Sequence, residues 1–204
     1  MIRVGPHLFA CGDAEDGREL AALVEAGPPT LLYFDPPWND ALATRYRTMA
    51  GFDGPKGRRT RAADLLPRLL DPARRLGLLA YLESGLPSTE AVVAIAQGAG
   101  ATITGQWRIY GWGRQLDLIA ADFAAQPQGR HPDFTGIEDS TTPDMAFGFH
   151  PRGVVLDPCC GLGFTSRAAA RSGWVSLNHE LNPRRMAQAV RSLSRAIGAQ
   201  AVGV

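Results

Sequence analysis

Cysteine is scarce in this 204-residue sequence: Cys11, Cys159 and Cys160 are the only three, and two of them are adjacent. An odd, clustered set is no disulfide framework, and without a CxxC pair or a histidine cluster no structural zinc site is expected. Lysine is scarcer still. Lys56 stands alone, so the basic residues are otherwise arginine, and the net charge is only +1. A chain that bound nucleic acid by its overall field would be more basic, so any such contact must be local. No apolar run reaches the roughly 18 residues of a membrane span. The first residues also lack the basic patch and apolar core of a secretory signal. The expectation is a cytoplasmic protein without a membrane partner, and a metal site is not expected.

Internal repeats and low-complexity tails are also missing. Apolar runs instead alternate with amphipathic stretches, the pattern of an α/β protein wound on both faces of a parallel sheet. The periodicity predicts seven strands, at 7–11, 30–34, 78–82, 102–110, 116–123, 154–156 and 174–177. It predicts helices at 16–25, 62–75, 89–98, 165–172 and 183–197, the second of them kinked or split near Pro67 and Pro72. Residues 39–61 have weak periodicity and several glycines and read as a long loop, and 124–142 read as polar and irregular. Loops of that length in small domains are commonly functional or disordered.

Two turns carry chemistry. Val154-Val155-Leu156-Asp157-Pro158-Cys159-Cys160-Gly161-Leu162-Gly163 is a strand running into a glycine turn. Gly161 and Gly163 let the backbone approach a ligand that a Cβ would block, and the following helix offers free N–H groups. Glu180 ends the next strand, where an acid can bind both hydroxyls of a ribose. The same unit serves dinucleotides and S-adenosylmethionine, or is simply a tight strand-to-helix turn. The dinucleotide pattern wants a third glycine where Ser166 stands. The second turn, Asp35-Pro36-Pro37-Trp38, follows a continuous apolar run. Consecutive prolines fix the backbone and present carbonyl acceptors. Asp35 adds a carboxylate that only accepts. Two acceptors on one –NH₂ hold both of its protons and turn its lone pair toward an electrophile. Trp38 offers a flat face for a stacked base, worth roughly 1–3 kcal/mol. The plain alternative is a strand-ending proline turn with a core tryptophan.

With these motifs the chain resembles the amino-methyltransferase group of DNA methyltransferases, the N6-adenine and N4-cytosine enzymes. Their catalytic signature, (Asp/Asn/Ser)-Pro-Pro-aromatic, is matched by Asp35-Pro36-Pro37-Trp38. Their cofactor signature, Asp-Pro-Phe-x-Gly-x-Gly, is matched by Asp157 to Gly163. The catalytic turn comes first, as in the circularly permuted, β-type arrangement. Gly12-Asp13, Trp107 and Thr142-Pro143 are similar to further landmarks of that type. Cys159 stands where the family has Phe, Phe164 where it has a small hydroxyl residue, and Asn178-His179-Glu180 where it has Gly-x-Glu.

The resemblance implies a seven-stranded, Rossmann-like methyltransferase fold, circularly permuted, in a single domain over 1–204. Its catalytic half is about 1–123, an irregular linker about 124–142 and its cofactor half about 143–204. All seven strands are used by that core, leaving no separate target-recognition domain. S-adenosyl-L-methionine is the implied cofactor. Asp13, Asp157, Cys159, Gly161, Gly163 and Glu180 would hold it, and Asp35, Pro36, Pro37 and Trp38 would act on the target amino group. Asp35 rather than Ser leans toward adenine N6.

Within 39–61, six basic residues face two acidic ones. Arg45, Arg58, Arg59 and Arg61 are therefore candidate phosphate contacts, against the alternative of a solvated surface loop. Trp107 would line the base pocket or pack in the core. Cys159 and Cys160 read as small packing residues, since their place in the cofactor turn argues against a nucleophile. DNA is the expected partner, with RNA or a protein amide as alternatives. A homodimer or an accessory specificity subunit is open, and so is a degenerate, non-catalytic scaffold.

Overall fold

Leu31–Phe34 (β3) is buried along its whole length, and successive side chains enter different cores. Leu32 and Phe34 join one cluster, while Leu31 and Tyr33 join another on the opposite face, as the two-residue period of a strand requires. A strand buried on both faces must sit mid-sheet, and β3 does. The computed structural model describes residues 1–51, 61–111, 113–127 and 129–204.

Before β3 come β1 (Ile2–Val4), β2 (His7–Cys11) and α1 (Arg18–Ala26). After it come α2 (Asp40–Met49), α3 (Ala62–Leu76), β4 (Leu79–Gly85), a 3₁₀ turn, α4 (Thr89–Gly98), β5 (Thr102–Gly111) and β6 (Arg114–Asp122). The chain ends with α5 (Thr142–Phe149), β7 (Val154–Asp157), α6 (Phe164–Ser172), β8 (Val175–Glu180), α7 (Pro183–Ile197) and β9 (Ala201–Gly203). The sheet order is β5-β6-β4-β3-β7-β8-β2-β1-β9. The five central strands β4, β3, β7, β8 and β2 are mutually parallel, and the pairs outside them are antiparallel. Helices α1, α3 and α4 cover one face through Leu20, Leu23, Leu66, Leu69, Leu70, Val92 and Ala96. On the other face α5 and α6 pack through Ala146, Phe147, Ala168 and Ala169, and α7 through Ala189, Val190 and Leu193.

This is the expected α/β architecture, corrected in its strand count and by two unexpected helices, α2 and α5, and refined in one helix. Among the described residues the sheet has nine strands, not seven. The expected seven are present, and β1 and β9 add an antiparallel edge beyond β2, three residues each. The segment expected as a loop carries helix α2. Asn39 caps it, its Oδ1 accepting from Leu42 N at 3.0 Å. Helix α3 is one continuous helix in spite of Pro67 and Pro72. Each proline removes one helical hydrogen bond, but Leu66, Leu69, Leu70 and Ala73 form an unbroken buried stripe that holds the helix on the sheet. No helix among the described residues is long and apolar enough to cross a membrane.

Five parallel strands end at the same edge of the sheet. The turns after β2, β3, β7 and β8 therefore share one rim, where ligands collect in open parallel sheets.

Candidate functional site

A cavity of about 190 Å³ opens at that rim. Adjacent strands β3 and β7 bring the two motif turns to it side by side, with Leu31 paired to Val155 and Leu32 to Leu156. Of the residues singled out in the sequence, Asp13, Asp35, Pro37, Asp157, Cys159, Gly161 and Glu180 line the cavity. Pro36, Trp38 and Gly163 are in the same turns but do not line it. Arg45 and Arg61 are exposed on and after α2 and do not line it. Trp107 lies apart, packed edge-on to His131 and Phe134 with ring centres 5.4 and 5.1 Å away. Its ring fills the space that a Cβ on Gly105 would need. Arg58 and Arg59 fall outside the described residues, as does Trp112.

On the proline-turn side, the Trp38 indole N–H donates to Asp35 Oδ1 at 2.8 Å and fixes the carboxylate. The indole ring rests on Gly85, where any Cβ would stand 2.6 Å from it. Asp35 is an exposed residue that faces the cavity, and the turn and its neighbours crowd its carboxyl. That crowding, with the charge of Asp139, pushes its carboxyl up to about 6, against the Trp38 hydrogen bond and the charges of Arg185 and Arg114. Sequence reasoning missed Tyr33, Glu83 and Asp139, which also line this side. Glu83 is buried, and Tyr33 Oη lies 2.9 Å from its Oε1.

On the glycine-turn side, Gly161 and Gly163 divide the labour. Both have positive φ, 52° and 78°. A Cβ on Gly161 would meet Arg185 Nη2 at 2.7 Å, and both residues line the cavity. A Cβ on Gly163 would instead meet Ser166 Oγ at 2.8 Å and Ala189 Cβ at 3.0 Å, so this glycine brings α6 and α7 together. Glu180 takes Gly161 N–H on Oε2 and Asn182 N–H on Oε1, each at 2.8 Å. It shapes the glycine turn and keeps a second lone pair on each oxygen for a ligand. Asp157 is buried, and burial pushes its carboxyl up to about 7, against hydrogen bonds from Thr165 and from Cys159 N–H. Burial drives the Cys159 and Cys160 thiols far above their ordinary range, which leaves no thiolate nucleophile.

Three further features come from chain-distant neighbours. Helix α2 carries Tyr46 and Arg47 to the cavity, and Arg47 pairs with Asp13 at 2.7 Å. Arg185 stacks over Tyr46 at 5.3 Å and makes no ion pair among the described residues. His179 places Nδ1 3.1 Å from Pro158 O. A carbonyl only accepts, so Nδ1 carries the proton and Nε2 is an acceptor. That Nε2 is buried with no partner among the described residues, in a side chain that lines the cavity.

Six carboxyl groups face this space, from Asp13, Asp35, Glu83, Asp139, Asp157 and Glu180, against the guanidinium groups of Arg47 and Arg185. An acid-rich wall repels a pyrophosphate and suits a ligand that carries positive charge, hydroxyls and amino groups. Among the described residues no three His, Cys, Asp or Glu side chains are arranged to hold a metal ion.

No protein-family model matches the chain, and no curated protein matches it in sequence. Solved structures do match. The chain is similar to M1.HpyAVI in complex with SAM, at 9% identity and TM-score 0.65, over 93% of this chain and 98% of that one. It is similar to TTHA0409 of Thermus thermophilus, complexed with S-adenosyl-L-methionine, at 20% identity and TM-score 0.66, over 97% and 99% of the two chains. It is also similar to the cytosine-N4-specific PvuII DNA methyltransferase, at 11% identity and TM-score 0.57, over 96% and 95%. At these identities the likeness is one of fold, and it extends over nearly the whole of each chain.

Proposed function

We propose that this chain is an S-adenosyl-L-methionine-dependent methyltransferase of the circularly permuted amino-methyltransferase type, acting on adenine N6 in DNA. One observation carries the reading. The Asp35-Pro36-Pro37-Trp38 turn and the 157–163 turn end neighbouring parallel strands and open into one acid-rich cavity. The fold likeness to a DNA modification methylase complexed with S-adenosyl-L-methionine, to a cytosine-N4-specific DNA methyltransferase and to M1.HpyAVI in complex with SAM supports it.

The site fits the cofactor. S-adenosylmethionine supplies an electrophilic methyl group on a positively charged sulfur, and the carboxyl-rich wall favours that charge. Arg185, without an ion pair, is the partner for its carboxylate. Gly161 leaves the backbone open beneath it. Glu180, Asp13 and the His179 Nε2 acceptor take its hydroxyl and amino hydrogens, beside Asp157 and Cys159. A target base leaves its stack at a cost of a few kcal/mol. Asp35 and the Pro36 carbonyl then hold its amino group, Trp38 orients Asp35, and the exposed part of the Trp38 ring is the surface for stacking. Placing the reactants in line supplies most of the rate. Arg45, Arg58, Arg59 and Arg61 are the proposed phosphate contacts, with Trp107 near the duplex.

The test is to incubate the purified protein with labelled cofactor and DNA or RNA, then identify the modified nucleoside by mass spectrometry. N6-methyladenine from DNA is expected. Asp35→Ala should lower the rate at least about 100-fold, as expected for loss of a group acting in the transition state, while cofactor affinity measured by calorimetry changes little. N4-methylcytosine or an RNA product would move the assignment within the reaction class. No labelled nucleoside in any substrate would overturn it.

A further inference from the structure

We infer that Glu83 is a positioning residue on the acceptor side of the cavity: a neutral carboxylic acid that offers one oxygen, beside Asp35, to the target amino group. The inference rests on the reading above and adds a residue to it. Proton counting carries it. Thr142 Oγ1 lies 2.8 Å from Asp139 O and also contacts Tyr33 Oη, which lies 2.9 Å from Glu83 Oε1. That makes three contacts among oxygens, with two hydroxyl protons to fill them.

A backbone carbonyl can only accept, so the Thr142 proton points to Asp139 O. The Tyr33 proton then points to Thr142, and the third contact needs a proton from Glu83. An ionised Glu83 would draw the Tyr33 proton and turn Thr142 round, leaving two acceptors facing each other at Asp139 O. Tyr33, Glu83 and Thr142 are all buried, so an oxygen left without a proton in this chain would cost the full desolvation of that contact.

The surroundings agree. The charges that raise the Glu83 carboxyl are those of Asp35 after β3, Asp139 before α5 and Asp157 at the end of β7, while the phenol of Tyr33 touches it and Arg47 and Arg185 line the same cavity. Burial and the acidic charges hold its carboxyl well above the ordinary carboxylate range. With Oε1 committed to Tyr33, Oε2 has no partner among the described residues, and the side chain lines the cavity. A neutral acid can stand beside the Asp35 carboxylate where a second carboxylate would be repelled. The pair then presents acceptors alone. An amino group with two hydrogens satisfies both, and a keto oxygen satisfies neither.

Glu83→Gln keeps a neutral acceptor and gives Tyr33 an N–H, whereas Glu83→Ala removes both. In infrared difference spectra at about pH 8, above the range where Asp35 and Asp157 hold their protons, a protonated-carboxyl C=O band should be present in the wild type and missing from Glu83→Gln. Glu83→Ala should lower kcat about tenfold, the worth of one hydrogen bond, and Glu83→Gln should recover most of that loss. Wild-type kcat should also fall at alkaline pH, where Glu83 ionises, and the Gln variant should lose that limb. Absence of the band, or a Gln variant as impaired as the Ala variant, would overturn the inference. If Glu83→Ala does not fold, the band and the alkaline limb decide. If the wild type methylates no nucleobase, the functional reading fails and the acceptor role falls with it, while the band still settles whether Glu83 is protonated.

Discussion

Asp35 presents acceptors alone only when ionised, and its carboxyl is pushed up to about 6. Below that value it is protonated and would donate where acceptance is needed. The rate of methyl transfer should therefore rise with pH through an acid limb centred near 6, which belongs jointly to Asp35 and its acidic neighbours. A pH profile of kcat/KM measures it, and a rate flat from pH 5 to pH 8 would contradict the role. The two glycines of the cofactor turn make a second prediction. Gly161→Ala places a methyl against the mobile tip of Arg185. It should weaken cofactor binding and cost roughly 1–2 kcal/mol of stability from its left-handed backbone. Gly163→Ala presses on Ser166 and on Ala189, including its Cα at 3.3 Å. It should cost more stability, because helices α6 and α7 must part. Thermal unfolding and calorimetry of the two variants separate these effects. The sequence alone suggested that both glycines face the ligand. It identifies which residues are small, but the direction in which a Cβ would point is set by helices packed later in the chain.

The strands of the core announce themselves, because 30–34 and 154–156 are continuous apolar runs closed by Asp-Pro turns. The three-residue strands β1 and β9 do not, since three residues are too few to show a period of two. Helix α2 was hidden by its polarity, with Thr44, Arg45, Arg47 and Thr48 leaving only Ala43 buried. Its signal was the cap at Asn39. Helix α5 was missed as well, although Thr142-Pro143-Asp144 holds a proline and an acid in a first turn. These omissions explain the gaps in the site. Tyr46 and Arg47 come from α2, and Thr142 begins α5. Arg185 belongs to a helix that was read correctly, whereas the strand read at 78–82 stopped one residue short of Glu83, because an acid after an apolar run looks like the start of a turn. Asn39→Ala removes the α2 cap and should cost about 1 kcal/mol. Because α2 supplies Arg47 to Asp13, cofactor affinity should fall with it, and calorimetry would show no change if α2 were only a surface helix.

The described chain is occupied by one sheet and the helices that cover it. The proposed readers of a base sequence are 39–61 and 124–142. Few base pairs can be touched by two such segments, and each good bidentate contact is worth roughly 1–3 kcal/mol. A short or relaxed target of about two to four base pairs is expected, unless a second copy or an accessory subunit adds contacts. Mapping methylation on genomic DNA treated with the purified protein tests this. A strict motif of about six base pairs or more, read by this chain alone, would contradict that contact economy.

Strands β1 and β9 run antiparallel at the far edge of the sheet, with Ile2 opposite Gly203, and Val204 N donates to Met1 O at 3.2 Å. The backbone is therefore almost a closed ring. A short flexible linker could join its ends without disturbing the sheet, and the ring could be cut again in the irregular stretch between β6 and α5. Such a rearranged chain would meet the glycine turn before the proline turn and keep every strand neighbour. Which motif comes first along the chain is then a matter of where the ring is opened, and the cavity that joins the motifs does not depend on it.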